Sequence, residues 1–175
     1  MKISVFVGTS VDGFIARPND DLDFLPEDAE PHGYEELYLS VDVIVIGRKT
    51  FEKVLTFDTW PYDGKRVVVL SSNALDLSEI SGAVEHMNGS PEEVVAKLAK
   101  DGARHAYVDG GVTIQRFLRA GLVQYLTVTR VPVLIGEGIP LFGSLPRDIK
   151  LQHVSTRAFP SGLVQSAYTI GARNG

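Results

Sequence analysis

Cysteine is absent from the 175 residues of this chain. That excludes disulfides, thiolate metal sites and a cysteine nucleophile. Basic runs are absent as well. Lys and Arg number 17 against 22 Asp and Glu, a net charge of −5, which argues against nucleic acid or an anionic membrane surface as partner. No apolar run approaches the roughly 18 to 20 residues of a membrane span. The N-terminus, MKISVFVGTSVDG, carries one lysine and an apolar stretch too short for a signal peptide. We therefore expect a cytoplasmic, soluble protein with a single domain over residues 1–175. Its 44% hydrophobic and 22% charged residues suit one sizeable core.

Several chemical signatures are missing too. No GxGxxG follows the first apolar run, and Leu141 stands where Gly136-Glu137-Gly138 would need a third glycine. There is no GxxxxGKS/T, so neither the usual dinucleotide fingerprint nor a P-loop is present. No GxSxG elbow supports a hydrolase. The four histidines, His32, His86, His105 and His153, lack the paired spacing of a metal site. Residues 19–23 (NDDLD) hint at a calcium loop, but Phe24 occupies the position where that loop needs glycine. We expect no metal. A zinc deaminase domain is not expected either, since its cysteine ligands are lacking.

What is present is an alternation of β-rich runs with helical patterns. Residues 2–8, 41–46 (VDVIVI), 66–70 (RVVVL), 83–87 and 105–108 (HAYV) read as strands. The β-branched runs among them suit strands covered on both faces. Residues 124–131 (QYLTVTRV) alternate and read as a sixth strand. Residues 149–159 and 163–170 flank the turn signal Pro160-Ser161-Gly162 and read as an antiparallel hairpin. Helices are expected over 34–40, 50–55, 90–100 and 113–120. The third has Ser90 as cap, Pro91 at its first position and Glu92-Glu93 at its positive end. This order predicts an α/β fold. A mostly parallel sheet of about eight strands ends in an antiparallel hairpin, flanked by about four helices. The long irregular stretches, 16–32 and 132–145, are candidates for function.

Three strand ends could carry chemistry. Gly47-Arg48-Lys49-Thr50 joins a buried strand to a helix, and a phosphate would fit there. A capped helix with two solvated cations fits the same tetrapeptide. Asp109-Gly110-Gly111-Val112-Thr113 lies at a similar junction, where paired glycines allow close approach of a ligand, or simply a tight turn. Leu70-Ser71-Ser72-Asn73 ends another strand. Ligands of open α/β sheets bind outside such ends, so three of them together outweigh any one.

These segments resemble a known family in order along nearly the whole chain. GRKTFE (47–52) is similar to the cofactor-phosphate motif of dihydrofolate reductases, and GKRVVVLSS (64–72) to the strand that follows it. VDGGVTIQRFL (108–118) resembles their paired-glycine turn and helix. SVDGFIA (10–16) resembles the first-strand loop, and LPED (25–28) the start of the substrate helix. VPVLIGEGIPLF (131–142) resembles the branch formed by the reductase domain of riboflavin biosynthesis enzymes and their stand-alone relatives. The resemblance implies an NADPH-dependent reductase of dihydrofolate-reductase-like fold. Val7, Gly8, Ile15 and Ala16 would line the nicotinamide end. Arg48, Thr50 and the charge of Lys49 would hold phosphates, with Gly47 allowing the approach. Ser71 and Ser72, beside Leu70 and with Arg48, would take the 2′-phosphate. Gly110, Gly111, Val112 and Thr113 would wrap the pyrophosphate.

The acid has two candidates. Asp28 stands where the resembled reductases have a pterin-binding carboxylate, although Pro31 and Gly33 interrupt the helix that would carry it. Asp12, in the first-strand loop, is the other, unless it only caps the turn at Gly13. Trp60 and Tyr62 cover the substrate pocket or belong to the core. The implied partner is a small molecule, either a pterin-like or pyrimidine heterocycle or a ribosylamino-pyrimidine. A nucleotide-binding protein of the same fold with little reductase activity is the alternative. The resembled riboflavin-type reductases are dimers, and the apolar segment 132–142 with the sixth strand would form a homodimer interface.

Overall fold

The continuous β-branched runs become the buried centre of a sheet. A computed structural model describes residues 1–26, 30–78, 80 and 82–171. In it β1 (Lys2–Ser10) is followed by the short β2 (Phe14–Ala16), α1 (Tyr34–Ser40), β3 (Val43–Gly47), α2 (Arg48–Val54), β4 (Arg66–Leu70) and β5 (Val84–Met87). Then come α3 (Pro91–Lys100), β6 (His105–Asp109), α4 (Gly111–Ala120), β7 (Tyr125–Val131), β8 (Ile139–Pro140), β9 (Leu151–Ala158) and β10 (Val164–Ile170). Eight strands form one sheet in the order β5-β4-β3-β6-β1-β7-β10-β9. The first six run parallel, and β7, β10 and β9 pair antiparallel.

Each face of the parallel part has its own core. Val43, Val45, Val68, Ala106 and Val108 point to α3 and α4, where they meet Val94, Leu98, Ile114 and Phe117. Ile44, Ile46, Val67, Val69 and Tyr107 point the other way, to Phe51 and Val54 of α2 and the aromatic side of α1. Burial on both faces explains why these runs lack polar alternation. The expected cap of α3 is formed in full. Ser90 Oγ accepts from the Glu93 N–H, and Glu93 reaches back to the Ser90 N–H.

The structure departs from the expected elements in a few places. β1 runs on through Gly8 to Ser10, because β7 pairs with it as far as Val131. β3 starts at Val43, since the Asp42 carboxylate is taken up by the backbone N–H groups of Arg104 and His105. α4 begins at Gly111 rather than Thr113. Inside the two long irregular stretches, β2 and β8 pair as a separate antiparallel ribbon. At three and two residues, one of them Pro140, they carry no period of their own.

At the opposite end of the sheet from these loops, His105 is buried. Its Nε2 lies 2.8 Å from Ser4 Oγ, and its Nδ1 faces Ser40. Burial, and then the charge of Lys2, hold its pKa below the ordinary 6.5. The unfolded chain therefore takes up this proton more readily than the folded one, so the contribution is complete above about pH 6.5 and is lost as pH falls below it. The difference in melting temperature between the wild type and His105→Gln should shrink from pH 8 to pH 5. A difference that holds steady or grows would contradict this account.

Candidate functional site

Two strand-to-helix junctions lie side by side at the carboxyl ends of β3 and β6, and both open on glycine. A Cβ on Gly47 would stand 2.7 Å from Thr113 Oγ1. A Cβ on Gly110 would collide with Thr50 Oγ1, and the φ of Gly110 is +93°. Both positions therefore need glycine, one for space and the other for space and conformation. Each threonine reaches across to the other junction's glycine. The first N–H groups of α4, on Gly111, Val112 and Thr113, have no carbonyl within the helix. Gly111 is less tightly placed: its Cβ would lie 3.0 Å from Ile15 Cδ1 and 3.2 Å from Ile139 Cγ2. The small β2–β8 ribbon thus presses Ile15 onto the glycine turn.

A cavity of about 700 Å³ runs along these strand ends. It brings together Val7, Gly8, Ile15, Ala16, Gly47, Arg48, Lys49, Thr50, Leu70, Gly110, Gly111, Val112 and Thr113. Ser71 and Ser72 are not among its lining residues. The Ser71 hydroxyl donates to Asn73 O at 2.7 Å and accepts from the Asn73 N–H at 3.1 Å, so it closes a local turn. The exposed guanidinium of Arg48 lies 3.6 Å from Glu52. Arg116, which the motif reading passed over, also lines the cavity, and its Nη2 donates to Gly89 O at 2.9 Å.

The acid candidates fare differently. Asp28 lies outside the described residues. Asp12 is not in the cavity lining. Its exposed carboxylate accepts from the N–H groups of Ile135 (3.3 Å) and Gly136 (2.8 Å). Hydrogen bonding, first from Ser10, lowers its pKa. That makes it a clamp on the loop after β7 and a poor proton donor.

Two carboxyls do line the cavity, Asp20 and Asp109, and Asp109 is the buried one at the end of β6. Burial raises its pKa, while the Gly110 N–H (2.7 Å) and Tyr107 pull the other way. Three tyrosines surround it. Burial and the Asp109 charge push Tyr34 up to about 12 and raise Tyr62 and Tyr107 further. The Tyr107 hydroxyl donates to Phe6 O at 3.0 Å. Phe6 in turn meets His32 (5.5 Å) and Tyr34 (5.7 Å) with tilted rings. Tyr62 is buried and lines this end, whereas Trp60 packs edge-on behind it at 5.4 Å. Asp109 was visible in the sequence as a carboxyl ending a buried strand, but its motif drew attention only to the glycines. The tyrosines lie far apart along the chain, and only the fold collects them.

Leu25 covers Gly8, whose Cβ would lie 3.0 Å from Leu25 Cδ2. The segment around it is held by Arg17–Asp23 and by Lys53–Asp21 at 2.9 Å. Among the described residues no group of three His, Asp or Glu side chains is gathered as a metal site, and no helix is long and apolar enough to cross a membrane.

A family model, the RibD C-terminal domain, matches residues 1–165. The chain belongs to that family, one of reductase-like fold. The uncharacterized protein YwjB of Bacillus subtilis is 29% identical over 163 residues, covering 90% of this chain and 92% of that one. A crystal structure from Shewanella sp. PV-4, provisionally assigned to riboflavin biosynthesis, is 35% identical with a TM-score of 0.90, covering 98% and 99%. Two more distant structures share the fold. A deaminase and 5-amino-6-(5-phosphoribosylamino)uracil reductase of Thermotoga maritima is 14% identical with a TM-score of 0.76, and this chain covers 56% of it. Enterococcus faecalis dihydrofolate reductase, complexed with NADP(H), is 17% identical with a TM-score of 0.67, covering 97% and 96%.

The glycine junction gives a direct test. Gly110→Ala forces a strained φ and drives a methyl group against Thr50. The variant should lose about 1–3 kcal/mol of stability by denaturant unfolding. Unchanged stability would remove the close approach as a constraint.

Proposed function

We propose that this chain is an NADPH-dependent reductase of a small heterocyclic acceptor. The observation that carries the reading is the single cavity with two unlike ends. One end has glycine junctions, free N–H groups and cations, as a dinucleotide phosphate needs. The other is aromatic, and a buried carboxyl of raised pKa lies at the end of β6. The NADP(H)-bound dihydrofolate reductase of the same fold supports the cofactor. Bound NADPH would supply the hydride. Gly110, Gly111, Val112 and Thr113 would hold the pyrophosphate, with Gly47 and Thr50 opposite. Val7, Gly8, Ile15 and Ala16 would form the apolar wall at the nicotinamide end. With Ser71 engaged in its turn, Arg48 and Arg116 are the groups suited to the 2′-phosphate.

The proton comes from this chain. Asp109 holds a proton at its carboxyl above the ordinary carboxylate range and can pass it to a nitrogen of the acceptor. The Gly110 N–H fixes its orientation. Leu25 and Tyr62 keep water from the same end. Asp109→Asn should leave NADPH affinity within about twofold and lower turnover about 10²- to 10⁴-fold. The wild-type rate should fall as pH rises through the raised pKa of this carboxyl, and the variant should lose that limb. Equal turnover in both would remove Asp109 from the reaction. A protein that binds NADPH and reduces no acceptor would instead be a nucleotide-binding member of the fold.

We also infer a two-fold homodimer. Leu134 is 72% exposed, Val11 52% and Phe142 50%, an apolar surface around the loop after β7. β7 lies inside the sheet and can offer only a face; the sheet's edges are β5 and β9, and β9 is exposed along its whole length. Light scattering at micromolar concentration should give twice the mass of one chain, and a monomer mass would overturn the inference.

A further inference from the structure

We propose that Asn88-Gly89 is a self-modifying site: it loses ammonia through a cyclic imide and gains a carboxylate that weakens the hold on the cofactor's 2′-phosphate. The effect on the cofactor rests on the reductase reading; the modification itself does not. β5 ends at Met87 and α3 begins at Pro91, so the pair lies in the short turn between them. Asn88 is exposed. Neither its carboxamide nor the Gly89 N–H makes a hydrogen bond among the described residues. Position 89 requires glycine. Its φ is +136°, and a Cβ there would stand 2.8 Å from Glu93 Oε2, the group that closes the α3 cap. The cap thus sets a residue without a side chain directly after an unpartnered asparagine. No methyl or larger group hinders attack by the Gly89 nitrogen.

The step needs only water and its hydroxide. The Gly89 nitrogen gives its proton to hydroxide and bonds to Asn88 Cγ. The carboxamide C–N bond breaks, and its nitrogen leaves as ammonia with a proton from water, which closes the imide. Water then opens the imide at either carbonyl and yields an aspartyl or isoaspartyl residue with a new carboxylate. The positive end of α3, capped at Ser90, favours the product's charge. The other asparagines among the described residues are protected. The Asn19 carboxamide donates to the Asp21 carboxylate at 2.9 Å and accepts from the Asp21 N–H at 3.3 Å. Asn73 precedes Ala74, whose methyl group hinders the attack. The turn reaches the cavity through one bond. Arg116 lines the cavity, and its Nη2 donates to Gly89 O at 2.9 Å. An aspartyl product sets a carboxylate one residue before that carbonyl. An isoaspartyl product also lengthens the backbone there by a methylene. Either change draws Arg116 away from a phosphate in the cavity.

The test incubates the full chain at pH 8 and follows it by peptide mapping with isoaspartate detection. The Asn88 peptide should gain about 1 Da, ahead of the peptides that hold Asn19 and Asn73, and faster as the pH is raised. Mapping keeps it apart from Asn174-Gly175, the second Asn-Gly pair of the sequence. Asn88→Asp carries the product's charge. It should melt like the wild type and weaken NADPH about two- to tenfold by calorimetric titration, with a smaller change for NADH. Asn88→Ser should keep its NADPH affinity through the same incubation. In Arg116→Gln, adding Asn88→Asp should have no further effect. An Asn88 peptide that stays intact, or converts no faster than those of Asn19 and Asn73, would overturn the proposal. So would wild-type NADPH affinity in Asn88→Asp, or an equal loss for NADH. Failure to bind either cofactor is a separate outcome. It would overturn the reductase reading and the effect on the 2′-phosphate, and the peptide map alone would decide the modification.

Discussion

The close approach of two β–α junctions is the constraint on which the rest of the structure depends. Gly47 and Gly110 can lie beside Thr113 and Thr50 only because neither has a side chain. That approach sets β3 beside β6 in the sheet and starts α2 and α4 on opposite faces of it. It also leaves the first N–H groups of α4 without carbonyl partners in the helix, on residues that line the cavity. The β2–β8 ribbon completes the arrangement by laying Ile15 and Ile139 against Gly111. A larger residue at Gly47 or Gly110 would displace the threonine that faces it, and at Gly110 it would also strain the backbone.

From that junction the cavity grades from one kind of chemistry to another. Near the glycines it offers N–H groups, threonine hydroxyls and cations, with the Asp109 carboxyl accepting the Gly110 N–H. Toward β1 and α1 it becomes aromatic. The raised pKa values of Asp109, Tyr34, Tyr62 and Tyr107 share one cause, burial next to one another. A carboxyl whose pKa is raised by burial, set among tyrosines, suits proton transfer to a ligand. Asp12, by contrast, spends its charge on the backbone of the loop after β7. Its role in holding the wall of the site is mechanical.

Much of this was legible in the sequence, for identifiable reasons. Burial on both faces leaves continuous β-branched runs, so β3 and β4 announced themselves. The Ser90–Glu93 cap and Pro91 marked α3 to the residue. Glycine pairs marked the junctions, because few other residues tolerate those positions. The losses were equally physical. β2 and β8 are too short for a period. Ser71 has the right side chain at the right strand end, yet Asn73 takes up its hydroxyl, a local competition that composition does not show. Tyr34, Tyr62 and Tyr107 are scattered over more than 70 positions, and their meeting around Asp109 is a property of the sheet order alone.

The most direct measurement of the central claim is calorimetric titration of the purified protein with NADPH and with NADH. One cofactor should bind per chain, with NADPH at least about tenfold tighter, the worth of a charge-assisted contact to its extra phosphate. Absence of saturable binding by either cofactor, or equal affinity for both, would contradict the account.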